Sequence, residues 1–300
     1  MKKLLSLLAF VIVIVQVNAQ LPRVIILATG GTIAGAGASA DRAGYTAGKI
    51  PIEDLIGAIP TVKKIATITG EQISSVGSQD MTIDIWKKLA VRINEIIAKK
   101  EADGIVITHG TDTQEETSYF LDLVIPSAMP VVLTGSMRAS TAISADGPKN
   151  LYDAITVAID PKSKGRGVLV SFNEGIYDGR EVMKMSTTFT NAFGSPNTGP
   201  IGHAYDGKVE YYANAVRERN PASPVTITAT TTLPRVDIVY MYADAPPDMI
   251  DMLVAKKVAG IVIAGVGNGN FNKAYMEAVK KAEAVGCWYP LMKVYMMVEK

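Results

Sequence analysis

The sequence predicts an α/β fold in two domains: a larger N-terminal domain with a mainly parallel sheet flanked by helices, and a smaller, incomplete C-terminal α/β domain. Three observations carry this. Short β-branched runs such as Val24-Ile25-Ile26-Leu27-Ala28 and Gly104-Ile105-Val106-Ile107-Thr108 are apolar almost throughout, as strands buried on both faces of a parallel sheet must be. Longer segments with apolar residues at helical spacing alternate with them, the pattern of right-handed βαβ units. The 300 residues, 48% of them apolar, can bury a large core and correspond to about two domains.

Taken in order, the chain starts with Lys2 and Lys3, the apolar stretch Leu4 to Val15, and Val17-Asn18-Ala19 before Gln20. A charged start, a short apolar core and small residues at the cleavage positions describe a secretory signal over residues 1–19. The apolar stretch is too short for a comfortable bilayer span. Residues 20–212 then form the expected N-terminal catalytic domain, with strands at Val24–Ala28, Gly104–Thr108, Val131–Thr134 and Gly167–Phe172. Helices are expected over Thr82–Lys99, Thr113–Val124 and Pro148–Ile159. Thr82 is placed as an N-cap, with Ile85, Leu89 and Ile93 recurring at helical spacing. Residues 213–234, polar and carrying Pro221 and Pro224, read as a linker. Residues 235–300 supply strands Val236–Tyr240 and Gly260–Ala264 and helices near Met249–Lys256 and Lys273–Ala284.

Composition narrows the function. The 30 Lys and Arg against 29 Asp and Glu, interspersed rather than blocked, argue against a nucleic-acid or polybasic membrane partner. One cysteine, Cys287, permits no internal disulfide. With only His109 and His203 available, and no Cys/His cluster at ligand spacing, no metal site and no cofactor are expected.

Two threonines carry the chemical signal. Thr32 lies in Thr29-Gly30-Gly31-Thr32-Ile33-Ala34-Gly35 after the first strand, and Thr111 in His109-Gly110-Thr111-Asp112-Thr113 after the second. Ligands of open α/β sheets collect outside the carboxyl ends of the strands, so both threonines should face one crevice. Glycines at 30, 31 and 35 miss the dinucleotide spacing Gly-x-Gly-x-x-Gly. Thr111 and Asp112 would also serve to cap the following helix, where free N–H groups can hold a carboxylate or an oxyanion. A threonine hydroxyl is a weak nucleophile until a base takes its proton. Neither histidine completes a Ser-His-Asp arrangement, because His109 falls at a strand end and His203 in a Gly-rich turn. A lysine, a tyrosine or a carboxylate remains. Lys184, beyond Asp178-Gly179-Arg180, sits where a loop can return to the crevice, and Tyr45 lies in a glycine-bounded loop after Thr32. Each, taken alone, reads by default as a solvated surface residue.

Several motifs together resemble the bacterial type II L-asparaginases and glutaminase-asparaginases. They are Thr29 to Gly35, Gly77-Ser78-Gln79-Asp80, His109 to Thr113 with Glu115-Glu116-Thr117, Gly135-Ser136-Met137-Arg138, Ser144-Ala145-Asp146-Gly147-Pro148, Asp178-Gly179-Arg180 and Gly265-Val266-Gly267-Asn268-Gly269-Asn270. The resemblance runs from Leu21 to Ala284. It implies that Thr32 attacks the side-chain amide carbon of L-asparagine, and more slowly of L-glutamine, with Tyr45 beside it. It implies a second triad of Thr111, Asp112 and Lys184, either activating the attack or acting from the other side of the substrate. Ser78, Gln79, Thr111 and Asp112 would bind the α-carboxylate and α-ammonium groups. The family's homotetramer completes each site with a neighbour's second domain, where Asn270 is the matching residue. The type II enzymes are exported, so a periplasmic location and no membrane association after signal cleavage are expected. A related tRNA-dependent amidotransferase subunit fits less well because it is not exported.

After Ala284 the chain departs from the family pattern. Val285-Gly286-Cys287-Trp288-Tyr289-Pro290-Leu291-Met292 leads to Lys300 where the family continues with a further strand and helices bearing an acidic substrate contact. The change of composition reads as a frameshift or truncation, from which impaired assembly and low turnover are expected. Two rivals follow, an inactive remnant of the family and a periplasmic amino-acid binding protein. Thr32, Thr111 and Lys184 argue against the latter, since a binding protein needs no activated hydroxyl.

Overall fold

A computed structural model describes residues 20–41, 44–126, 129–214, 225–284 and 286, with the backbone of 291–293. The expected secretory leader, much of the expected linker and most of the atypical tail lie outside the described residues. The chain forms two compact units, with the boundary between Thr228 and Ala229.

In the first unit, β1 (Arg23–Gly30) is followed by a small hairpin, β2 (Ala36–Gly37) and β3 (Tyr45–Thr46), and by α1 (Ile52–Gly57). Next come β4 (Thr67–Val76), α2 (Ile83–Lys99), β5 (Gly104–Thr108), α3 (Gln114–Val124), β6 (Val131–Thr134), α4 (Gly147–Ile159) and β7 (Val168–Phe172). The unit closes with β8 (Gly175–Asp178), the short pair β9 (Met183–Lys184) and β10 (Phe193–Gly194), then β11 (Gly202–Tyr205) and β12 (Lys208–Tyr211). Eight of these strands form one sheet in the order β12-β11-β8-β7-β6-β5-β1-β4. From β4 to β7 the pairing is parallel. Beyond β7 it is antiparallel.

The alternation of side chains along β1 builds the two layers. Val24, Ile26 and Ala28 enter one core cluster with Leu151, Ala154 and Ile155 of α4. Ile25 and Leu27 enter the other, with Leu89, Ile93 and Ile96 of α2 and Leu121 of α3. Ile227, within the stretch read as a linker, is buried in this second cluster. Helix α2 starts where its cap predicts, with Thr82 Oγ1 accepting from the Ile85 N–H at 3.3 Å. It ends at Lys100, whose φ of 54° is the left-handed stop of a helix C-terminus.

Two parts of the sheet differ from expectation. Strand β4 was absent from the sequence reading because Thr67-Ile68-Thr69-Gly70-Glu71-Gln72-Ile73-Ser74-Ser75-Val76 is a polar, half-exposed edge rather than an apolar run. Arg92 of α2 clasps it from outside, bonding both oxygens of Glu71 at 2.7 Å. At the other end, Asn173 (φ 47°) and Glu174 (φ 67°) reverse β7 directly into β8. Two left-handed residues make a hairpin, so no crossover helix follows. His203 accordingly lies within strand β11, not in a turn.

The second unit contains β13 (Val236–Tyr240), α5 (Asp248–Ala255), β14 (Gly260–Gly265), α6 (Lys273–Ala284) and β15 (Leu291–Lys293). The three strands are parallel in the order β13-β14-β15, so the backbone adds a strand beyond Ala284, where the sequence reading expected the family pattern to fail. Val239, Ile261 and Ile263 pack with Ile250 and Leu253 of α5 and Tyr275 and Val279 of α6. The alternate residues of β13, Val236, Ile238 and Tyr240, are exposed.

Ile93 is fully buried on the inner face of α2. Ile93→Ala should lower the unfolding free energy by about 3 kcal/mol, through lost transfer energy and the cavity left behind. Urea titration followed by circular dichroism checks it; a loss below about 1 kcal/mol contradicts the packing described.

Candidate active site

Strands β1 and β5 are neighbours in register, with Ala28 opposite Thr108, so the loops that follow them start side by side. Their closeness is set by glycine. A Cβ on Gly31 would lie 2.4 Å from both Cα and N of Gly110, and Gly31 also has φ +77°, which disfavours any side chain. The Gly31 N–H donates to Val76 O at 2.8 Å, tying the turn to β4. Thr32 follows at once and is buried at 6% exposure. Its Oγ1 lies 2.6 Å from the hydroxyl of Tyr45. Tyr45 comes from the β2–β3 hairpin, paired with Gly37, and its ring fills the space a Cβ on Gly35 would need.

The second threonine has a different set of partners. Lys184 Nζ donates to Thr111 Oγ1 at 2.9 Å and to Asp112 Oδ1 at 2.5 Å. Lys184 is largely buried while the Asp112 side chain is 59% exposed, so the carboxylate faces the open side. Neither Thr111 nor Asp112 caps α3, contrary to the reading of them as helix caps. Thr113 holds the N-cap position without a side-chain cap bond, and the Asp112 carboxylate is occupied by Lys184. The Asp112 N–H donates instead to Ser78 Oγ at 3.1 Å, and Thr113 Oγ1 donates to Ser78 O at 2.8 Å. Ser78 is buried at this seam. Gln79 beside it is exposed, its amide donating to Asp80 at 3.2 Å.

The structure therefore brings together Thr32 with Tyr45, Thr111 with Asp112 and Lys184, and Ser78 with the Asp112 backbone. Asn270 belongs to the second unit, exposed in a turn held by its backbone bridge to Val266. Among the described residues no His, Cys, Asp or Glu cluster is arranged to hold a metal ion.

His109, set aside in the sequence reading as a catalytic base, has a structural place. It is fully buried. Trp86 Nε1–H donates to Thr117 Oγ1 at 2.8 Å, and Thr117 donates on to His109 Nε2 at 2.9 Å. His109 Nδ1–H then donates to Gly110 O at 2.7 Å. Only this direction works, because an indole N–H can only donate and a carbonyl can only accept. Burial pulls the His109 pKa down to about 4, keeping the ring neutral.

Residues 23–217 match the family described as "Asparaginase, N-terminal", and residues 235–289 match "Glutaminase/Asparaginase C-terminal domain". The chain belongs to the asparaginase family. That membership makes it an amidohydrolase. It is 49% identical to a "Probable L-asparaginase periplasmic" of Haemophilus influenzae over 264 residues, covering 88% of this chain and 75% of the relative. It is 47% identical to "L-asparaginase 2" of Escherichia coli, covering 89% and 76%, and 41% identical to a "Glutaminase-asparaginase" of Pseudomonas fluorescens, covering 91% and 75%. The fold resembles the crystal structure of a probable cytoplasmic L-asparaginase from Campylobacter jejuni, with a TM-score of 0.85 at 43% identity, over 89% of this chain and 82% of that one.

The neutral His109 makes stability of this asparaginase depend on pH. Its folded pKa is depressed from 6.5 to about 4. The unfolded chain therefore binds the proton first, and stability is lost as pH falls through this window. The loss from this group should be on the order of 3 kcal/mol between pH 7 and 4. Comparing urea unfolding of wild type and His109→Gln at the two pH values isolates it. Identical pH dependence in the two proteins would refute the assignment.

Proposed function

We propose that this asparaginase hydrolyses L-asparagine to L-aspartate and ammonia through an acyl-enzyme on Thr32, with L-glutamine as a slower substrate. The observation that carries the reading is the pair of hydroxyls on adjoining strand ends, each with its own partner. Thr32 Oγ1 has the Tyr45 hydroxyl at 2.6 Å, and Thr111 Oγ1 has the Lys184 ammonium at 2.9 Å. Thr32 Oγ1 attacks the side-chain carbonyl carbon while the Tyr45 hydroxyl takes its proton and hands on its own, and that relayed proton is the one the leaving nitrogen receives. The tetrahedral adduct collapses by breaking the C–N bond, the leaving nitrogen takes a proton, and ammonia departs. Water then attacks the ester, which releases aspartate and restores the threonine.

Thr111, Asp112 and Lys184 act in the same reaction as a second polar group beside the substrate. Asp112 Oδ1 is engaged by Lys184, leaving Oδ2 to meet the α-ammonium. Ser78 Oγ accepts from the Asp112 N–H, so its own proton is oriented to donate to the α-carboxylate, with Gln79 alongside. An anion fixed at the recognition end selects a free amino acid over a peptide. The preference for asparagine over glutamine amounts to one methylene, worth about 1–3 kcal/mol.

Export to the periplasm follows from residues 1–19. The name of the Haemophilus influenzae relative carries the same location, while the Campylobacter jejuni structure is titled cytoplasmic; the leader-like start favours export for this chain. A homotetramer in which Asn270 completes a neighbour's site accords with the exposed apolar row Val236, Ile238 and Tyr240, since parallel sheets are ordinarily covered on both faces. Sedimentation showing only monomer at micromolar concentration would reject it.

Release of ammonia from asparagine tests the central reading. Thr32→Ala should lower kcat by on the order of a thousandfold or more, with an unchanged circular dichroism spectrum. Tight asparagine binding by the wild type without any ammonia release would turn the reading toward a binding protein.

A further inference from the structure

The Lys184 ammonium reaches Thr111 and Asp112 from a segment more than seventy residues further along the chain. Something must hold that segment in place, because β8 ends at Asp178 and β9 is only two residues long. Helix α3 supplies the hold. Its residues Glu115, Ser118 and Asp122 stand three and four positions apart, so they share one helical face. Each binds the segment 179–184. Glu115 Oε2 accepts the Lys184 backbone N–H at 2.5 Å. Ser118 Oγ stands 2.9 Å from Gly179 O and 2.9 Å from Glu115 O of its own helix, so its one proton is shared between the two carbonyls. The Asp122 carboxylate, 1% exposed, pairs with Arg180 Nε and also accepts the Val168 N–H of β7 at 2.7 Å.

Thr111 and Asp112 directly precede the same helix. One rigid element therefore carries both the acceptors of the Lys184 ammonium and the anchors of the Lys184 backbone. Resting on the role given to Lys184 above, we infer that Glu115, Ser118 and the Asp122–Arg180 pair are positioning residues that set the Lys184 ammonium against Thr111. Glu115 is the nearest of them, bonded to the Lys184 main chain itself. Its carboxyl is partly buried, and burial raises its pKa while the Lys184 N–H acts against that rise. The ordinary alternative is that Glu115 only favours the positive end of α3 as a first-turn acid.

A double-mutant cycle separates the two. Removing one member of the Asp122–Arg180 pair would leave a buried charge alone and risk unfolding, so the cycle uses Glu115 and Ser118. Asparagine hydrolysis is measured for wild type, Glu115→Ala, Lys184→Met and the double variant, each checked for its thermal midpoint. Glu115→Ala should lower kcat about tenfold with KM within about threefold, and should cost less than about twofold when Lys184 is already Met. Glu115→Gln, which keeps an oxygen acceptor, should retain at least about a third of kcat, although it loses the charge. Ser118→Ala should lower kcat about threefold in the wild type and not in Lys184→Met, which serves if Glu115→Ala does not fold. Equal losses in both backgrounds, or a wild-type kcat in Glu115→Ala, overturn the inference while leaving the role of Lys184 standing. A wild-type kcat in Lys184→Met overturns both.

Discussion

The site depends on the backbone contact between Gly31 and Gly110. Two parallel strands 4.7–4.9 Å apart are close by construction, but the loops leaving them diverge unless something lets them stay together. Here the missing side chains do so: a Cβ on Gly31 would overlap Gly110, and a Cβ on Gly110 would lie 2.7 Å from Ser78 Oγ. Three loops, after β1, β4 and β5, are thereby held in close contact, the first against the third through main chain and the third against Ser78 of the second. Thr32, Ser78 and Thr111 take their places from that contact. His109 supports it from below, its ring held by Thr117 and spent on the Gly110 carbonyl.

Electrostatics divides the crevice in two. Thr32 and Tyr45 form an uncharged pair, close enough for a short hydrogen bond. On the other side Lys184 lies against Asp112, with the Glu115 carboxylate accepting its backbone N–H. The neutral histidine contributes no charge between them, because burial keeps its proton affinity low. In the proposed mechanism a nucleophile facing an amide carbon and a charged end facing an amino acid's own charges are thus kept on separate strand ends, which suits a substrate with its reactive group at one end and its ionic groups at the other.

What could be read from the residues follows from what each element buries. Strands β1, β5, β6 and β7 are apolar because both faces are covered, and their positions were legible to within a residue or two. Strand β4 was not, since an edge half open to water looks polar, and neither was the antiparallel extension from β8 to β12, which depends on two left-handed residues after β7. Thr32 and Thr111 stood out as hydroxyls at strand ends. Lys184 was only one loop lysine able to return to the crevice, and the family resemblance alone set it beside Thr111, for a contact spanning that much chain leaves no local pattern. The α3 ladder was hidden for the same reason, although its spacing at 115, 118 and 122 is helical and polar where a buried face should be apolar.

The Asp112 carboxylate connects these parts. One oxygen is taken by Lys184, and the proposed mechanism gives the other to the substrate ammonium. A carboxylate tied through one oxygen to Lys184 presents its other oxygen in a set direction, so in the proposed mechanism the position of Lys184 influences where the ammonium rests as well as how Thr111 is polarised. The Asp112 N–H adds a third constraint through Ser78, to which the proposed mechanism gives the α-carboxylate. In the proposed mechanism recognition and chemistry therefore share a residue, and the inferred α3 anchors act on both through it. The rigidity of that helix, more than the strength of any one ion pair at a half-open surface, keeps the two functions in register.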